Sequence, residues 1–146
     1  MLRRTATLLL IALTCAGCVG PARSFDTYEG KAATTAESVA SAVQTARLAV
    51  TAASDLRAFA PYLSVVLAEA EGDAGASGAT FATIQPPDER SASLRTELLD
   101  LVGRAEDVLA DLRISVRWGD LDRLDEIAGP LGPIGDQLAD FSETHS

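Results

Sequence analysis

Hydrophobic positions recur at spacings of three and four along most of this chain, and nowhere do they alternate long enough to make a strand. Ala32, Ala36, Val39, Val43, Ala46, Val50, Ala53 and Ala60 form one such series, interrupted at Arg57. It predicts a long helix from about Thr27 whose narrow seam of small residues packs on another helix. Leu63, Val66, Leu67 and Ala70 extend an apolar face toward Gly72, with Pro61 either kinking this helix or separating two. The sharpest pattern lies between about Glu89 and Arg117. There Leu94, Leu98, Leu101, Ala105, Val108, Leu112 and Val116 make one stripe, widened by Val102 and Leu109. Asp88 is a suitable N-cap for it, and Glu89, Glu97 and Asp100 early with Arg113 and Arg117 late suit the helix macrodipole.

Between these patterns the chain is punctuated. Gly72 to Asp88 (GDAGASGATFATIQPPD) holds three glycines in seven residues and then Pro86-Pro87, which predicts a loop over 72–88. Phe81 and Ile84 are the apolar residues inside it. They either tuck the loop onto the bundle or present a contact to a partner. Trp118-Gly119-Asp120 reads as a turn, followed by a short apolar face at Leu121, Leu124, Ile127 and Ala128. After Gly129-Pro130 and Gly132-Pro133, Ile134, Leu138 and Phe141 mark a last helix, and residues 143–146 form a polar tail expected to fray. The fold expected is all-α: an antiparallel bundle of three to four helices over 27–142. Its two long helices, about 27–70 and 89–117, would be antiparallel partners across loop 72–88, with the C-terminal pair covering the remaining apolar face.

The first eighteen residues follow other rules. Arg3 and Arg4 precede an apolar run, Thr5 to Thr14, that ends in Cys15-Ala16-Gly17-Cys18. A charged head, a short apolar middle and small residues before a cleavage point mark an export signal. The run is well short of the roughly 20 apolar residues that span a bilayer. Ala16, Gly17 and Cys18 resemble the lipobox of a bacterial lipoprotein precursor, with Cys15 where leucine is usual. The resemblance implies cleavage between Gly17 and Cys18, a diacylglycerol thioether on Cys18 and, in many bacteria, a third acyl chain on the new amino group. Residues 1–17 would be the signal, and 18–26 the lipidated cysteine and a short tether. Two or more acyl chains anchor a protein stably, where one does so only marginally.

Charge and cysteine usage sharpen this picture. The net charge is −9, and loss of Arg3 and Arg4 with the signal would make it −11. So acidic a body repels phosphate backbones and anionic headgroups, which argues against nucleic acid as a partner. Of the two cysteines, Cys15 would leave with the signal and Cys18 would be alkylated, so no disulfide is expected and stability falls to helix packing. The single histidine, His145, lies next to the C-terminus, where a triad or a Cys/His metal site has no support. Asp120, Asp122, Asp125 and Glu126 read as helix capping and dipole matching rather than a calcium loop, and Glu69, Glu71 and Asp73 as solvated charge.

One cluster stands out on this acidic chain. Arg113, Arg117 and Arg123 flank Trp118, a basic and aromatic group suited to a carboxylate, a phosphate or a protein anchor point. The plainer account pairs Arg113 and Arg117 with Asp120 or Asp122 and lays Trp118 over the end of the core. The overall plan is similar to small helical lipoproteins of high-GC bacteria, a likeness that brings no function with it. The expectation is a non-enzymatic lipoprotein, lipid-anchored through Cys18 at the extracytoplasmic face of the cell membrane, without a cofactor or metal. It would act through contacts with an envelope protein in a structural or accessory role. A bundle that binds a small ligand between its helices is the alternative, and the Ala32 to Ala60 seam offers a route to self-association.

Overall fold

In the computed structural model, which describes residues 22–56 and 60–146, five helices account for most of the described residues. They are α1 (Phe25–Leu56), α2 (Ala60–Ala82), α3 (Glu89–Trp118), the short α4 (Leu124–Ala128) and α5 (Leu131–Thr144), with no strand among the described residues. The all-α expectation holds. The pattern once open at Pro61 resolves into two helices rather than one bent helix. Tyr28 in the first turn of α1 meets Phe81 in the last turn of α2, their ring centroids 5.1 Å apart, so α1 and α2 run antiparallel. The long helices are therefore arranged differently from the expected pair. α1 and α3 point the same way, because the Arg90 guanidinium at the start of α3 lies 3.6 Å from the Phe25 ring at the start of α1. With α2 and α5 descending between them, the four long helices run up, down, up and down.

The α1 seam is buried as its spacing demands: Ala32, Ala36, Val39, Val43, Ala46 and Val50 all lie in the core. Small seam residues let α1 come close to its neighbours, and it packs against each of the other four helices. That seam therefore faces the chain's own bundle and is not a surface offered to a second copy. On its opposite face the Thr34, Ser38 and Thr45 hydroxyls donate to carbonyls one turn earlier, which satisfies the hydroxyls without adding packing. α3 buries the predicted stripe, with Leu98, Ala105, Leu109 and Leu112 fully enclosed, and α5 contributes Leu131, Ile134, Leu138 and Phe141.

The largest departure from expectation is the segment 72–88. α2 continues through Gly72, Gly75 and Gly78 to Ala82, leaving only 83–88 as the connection. Composition argues against helix here, since each interior glycine costs about 1 kcal/mol relative to alanine. Tertiary packing outweighs it. Phe81 is buried against Tyr28, and Gly78 sits so close to α3 that a Cβ there would lie 2.7 Å from Val102 Cγ1. The turn itself is held by Arg95, whose guanidinium donates to the Ala82 carbonyl at 2.6 Å and the Ile84 carbonyl at 3.3 Å. Those carbonyls would otherwise be orphaned at the α2 C-terminus. The Tyr28 hydroxyl, at the same end, is buried without a hydrogen-bond partner among the described residues. Burial pushes its pKa up, with the nearby Arg95 charge opposing.

Caps close the remaining ends. Asp88 accepts a 2.8 Å hydrogen bond from the Ser91 amide and opens α3 in the way its sequence position suggests. Gly119 ends α3 in the left-handed region, φ 76°, with its amide directed at the Ser115 and Val116 carbonyls. The C-terminal tail does not fray as expected. Helix α5 reaches Thr144, and His145 Nδ1 lies 2.8 Å from Glu29 Oε1 on α1 while its ring packs on Phe141.

Two outcomes test these assignments. Gly72 has open space where a Cβ would go, so Gly72→Ala should raise unfolding stability by about 1 kcal/mol. Gly78→Ala should forfeit that gain to overpacking against Val102, which costs about 1–3 kcal/mol. Equal gains in urea titrations would contradict the close α2–α3 approach. The second concerns pH. The Ser91 amide, hydrogen-bonded to the carboxylate, holds the Asp88 carboxyl below its ordinary value of 3.8. A depressed carboxylate contributes stability above its unfolded pKa and loses it as pH falls through its folded one. The stability difference between wild type and Asp88→Asn should thus be flat near neutrality and shrink only below pH 3.8. Melting curves across that range read it directly.

Candidate functional site

Trp118 closes α3 at the end of the bundle farthest from Phe25, and it is 82% exposed. The expected placement over the core is not observed: Val116 and Leu124 fill that space, and the indole stands in solvent. Ile114, one turn earlier on the same face, and Leu121 in the following turn are exposed at 44% and 41%. Beside them is an open cavity of about 410 Å³ whose apolar wall is Ile114, Trp118 and Ile127, with Asp111, Asp120 and Arg123 at its margin.

The three arginines expected around Trp118 separate. Arg113 turns toward α2 and forms a two-pronged pair with Glu71, Nε to Oε2 and Nη2 to Oε1, the latter at 3.1 Å. Hydrogen bonding to this carboxylate, then its charge, pushes the Arg113 pKa up. Neither Asp120 nor Asp122 is its partner, and Glu71 is not merely solvated. Arg123 shares the Trp118 cavity but is loosely tied to Asp120 at 3.8 Å and Glu126 at 3.5 Å, both exposed contacts of the weak surface kind. Arg117 is exposed and has no carboxylate within ion-pair distance among the described residues. Phe81 and Ile84, the other two expected contact residues, are buried at the opposite end and pack the core. They offer no surface to a partner. Gly17 and Cys18 lie outside the described residues.

Three further apolar residues join the exposed set without any sequence reading having singled them out: Leu48 on α1, and Tyr62 and Val65 on α2, all more than half exposed. A signal for them exists. Tyr62 and Val65 fall off the Leu63, Leu67 and Ala70 stripe, and Leu48 falls between the seam positions Ala46 and Val50. Because α1 ascends, α2 descends and α3 ascends, all six exposed large hydrophobic residues among those described share the end distant from Phe25. The near end is polar. There a cavity of about 380 Å³ is lined by Glu97, Asp100, Arg104, Gln137, Asp140 and His145 among others, with Arg104 donating to Gln137 at 2.7 Å.

Among the described residues no group of three or more His, Cys, Asp or Glu is placed to hold a metal ion, and no helix is long and apolar enough to cross a membrane. The fold and its exposed end define an up-down-up-down helical bundle with a polar near end and an apolar far end. No family model, curated protein or solved structure matches this chain.

The surface and core assignments separate in a measurement. Trp118→Ala should change stability by no more than about 0.5 kcal/mol, as is usual for exposed positions. Phe81→Ala should cost about 3–5 kcal/mol, as for large buried aromatics. Trp118 is also the only tryptophan, so native fluorescence should be quenched by acrylamide nearly as efficiently as in urea. A shielded native signal would place the indole elsewhere.

Proposed function

We propose that this protein is a membrane-tethered, non-enzymatic lipoprotein of the cell envelope that acts through protein–protein contacts in a structural or accessory role. The observation that carries the reading is the polarity of the bundle. The chain enters at Ala22 to Phe25, only a few residues after Cys18, and the exposed apolar residues gather at the other end. α1 has 32 residues, which at about 1.5 Å each separates the two ends by roughly 48 Å. A lipid on Cys18 would fix the polar end at the bilayer and hold Trp118 and its neighbours away from it, toward whatever the envelope places there. Tryptophan and tyrosine, exposed here as Trp118 and Tyr62, are enriched at binding hot spots. The acidic charge of the body fits a protein partner better than a nucleic acid or an anionic lipid surface.

Cys18→Ser should move the protein from the membrane fraction to the soluble extracytoplasmic fraction, with the melting temperature of the exported body unchanged. Retention of the variant in the membrane pellet at the wild-type proportion would end the lipid-anchor reading.

A further inference from the structure

The apolar far end has a charged lower boundary, and the two together specify the occupant. On α2, Tyr62, Val65 and Glu69 follow one another at three and four residues along one exposed face. On α3, Asp111, Ile114 and Trp118 do the same in the opposite chain direction. Contacts between these antiparallel helices fix their register: Glu71 pairs with Arg113, and Gly75 lies against Glu106. Glu69 and Asp111 therefore stand at one level, immediately below the apolar residues of their own helices. Asp122 adds a third exposed carboxylate beside Leu121. None of the three has a cation within ion-pair distance among the described residues, while the nearby Arg113 is held by Glu71 and Arg123 lies loosely between Asp120 and Glu126. Arg117 is the one exposed cation on the last turn of α3.

We infer that this end docks into an apolar cleft of a different protein whose lip carries lysine or arginine. The inference rests on the proposed function, in which the protein works through protein contacts. Apolar side chains on three helices suit a concave surface that encloses the tip better than a flat one. The unpaired acids at its lower edge call for cations on the partner, since complementary rim charges set orientation and association rate. A second copy is disfavoured by the same acids, which would face one another on bodies of net charge −9. An anionic bilayer is disfavoured for the same reason.

Site-specific photocrosslinking in the cells that make the protein tests this, using p-benzoylphenylalanine placed at positions 62, 118 and, as a control on the near half of α1, 34. Positions 62 and 118 should yield the same adduct with a different protein, crosslinked through a peptide bearing lysine or arginine, and position 34 should not. Glu69→Lys with Asp111→Lys should lower the adduct yield at position 118 by about tenfold without altering the melting curve, as for the loss of complementary rim charge. An adduct of twice the chain's own mass, adducts with lipid alone, equal yield at position 34, no adduct, or insensitivity to the double reversal would each overturn the inference. The same labels in Cys18→Ser separate the two readings. If that variant stays in the membrane yet forms the adduct, the anchor fails and the docking surface stands. If it is released and neither it nor the full-length protein forms the adduct, only the docking surface fails.

Discussion

The bundle depends on how closely α1 can approach its neighbours. Alanine at positions 32, 36 and 46 leaves so little side chain between backbones that one helix can touch all four others. The thermodynamic consequence is that α1 itself buries modest apolar area per turn, at about 25 cal/mol per Å². The large side chains come from the partners: Leu63, Leu67 and Phe81 from α2, the leucines of α3, and Leu131, Leu138 and Phe141 from α5. Small side chains on the hub thus face large ones around it, the complementarity that close packing requires. Gly78 repeats the device between α2 and α3, where even a methyl group would meet Val102.

How much of this could be read from the residues alone divides along a physical line. Periodicity exposed the α1 seam and the α3 stripe because each records a single face of a single helix. Asp88 and Gly119 were legible because capping is local chemistry. The helix through 72–82 was not, because its glycines disfavour helix locally and are offset by contacts with α1 and α3 that lie far away in sequence. The role of Arg95 is hidden for a similar reason: a lone arginine on a helix face gives no hint that it closes the preceding turn. Arg113 was assigned to Asp120 or Asp122 because those acids are near in sequence. The antiparallel pairing of α2 and α3 instead brings Glu71 to it across 42 positions. The exposed end was half legible. Trp118 was conspicuous as an isolated aromatic, but its company with Leu48, Tyr62 and Val65 exists only once three helices are set in alternating directions.

That alternation also explains the contrast between the two ends. The near end gathers Phe25 with Arg90, Glu29 with His145, and Arg95 with the α2 carbonyls. Each is a polar or cationic contact joining different segments, so this end is stitched together by paired polar groups around the buried Tyr28 hydroxyl. The far end closes differently, through Leu63, Val116, Leu124 and Leu131 beneath a surface whose apolar residues have nothing over them. Stability and exposed binding chemistry are thereby kept in different parts of one small bundle, so changes at Trp118 need not disturb the core.

The clasp between His145 and Glu29 adds a mechanical property. It brings His145 back beside the start of α1, so residues 22 and 146 lie at the same end of the bundle. A load applied between Ala22 and the far end then acts along the α1 axis, against the full length of its contacts with α2, α3 and α5. Helices loaded in that way resist by shear, with many contacts sharing the force, instead of peeling apart one turn at a time. Force along that axis would be spread over contacts that line α1 from Tyr28 to Val50.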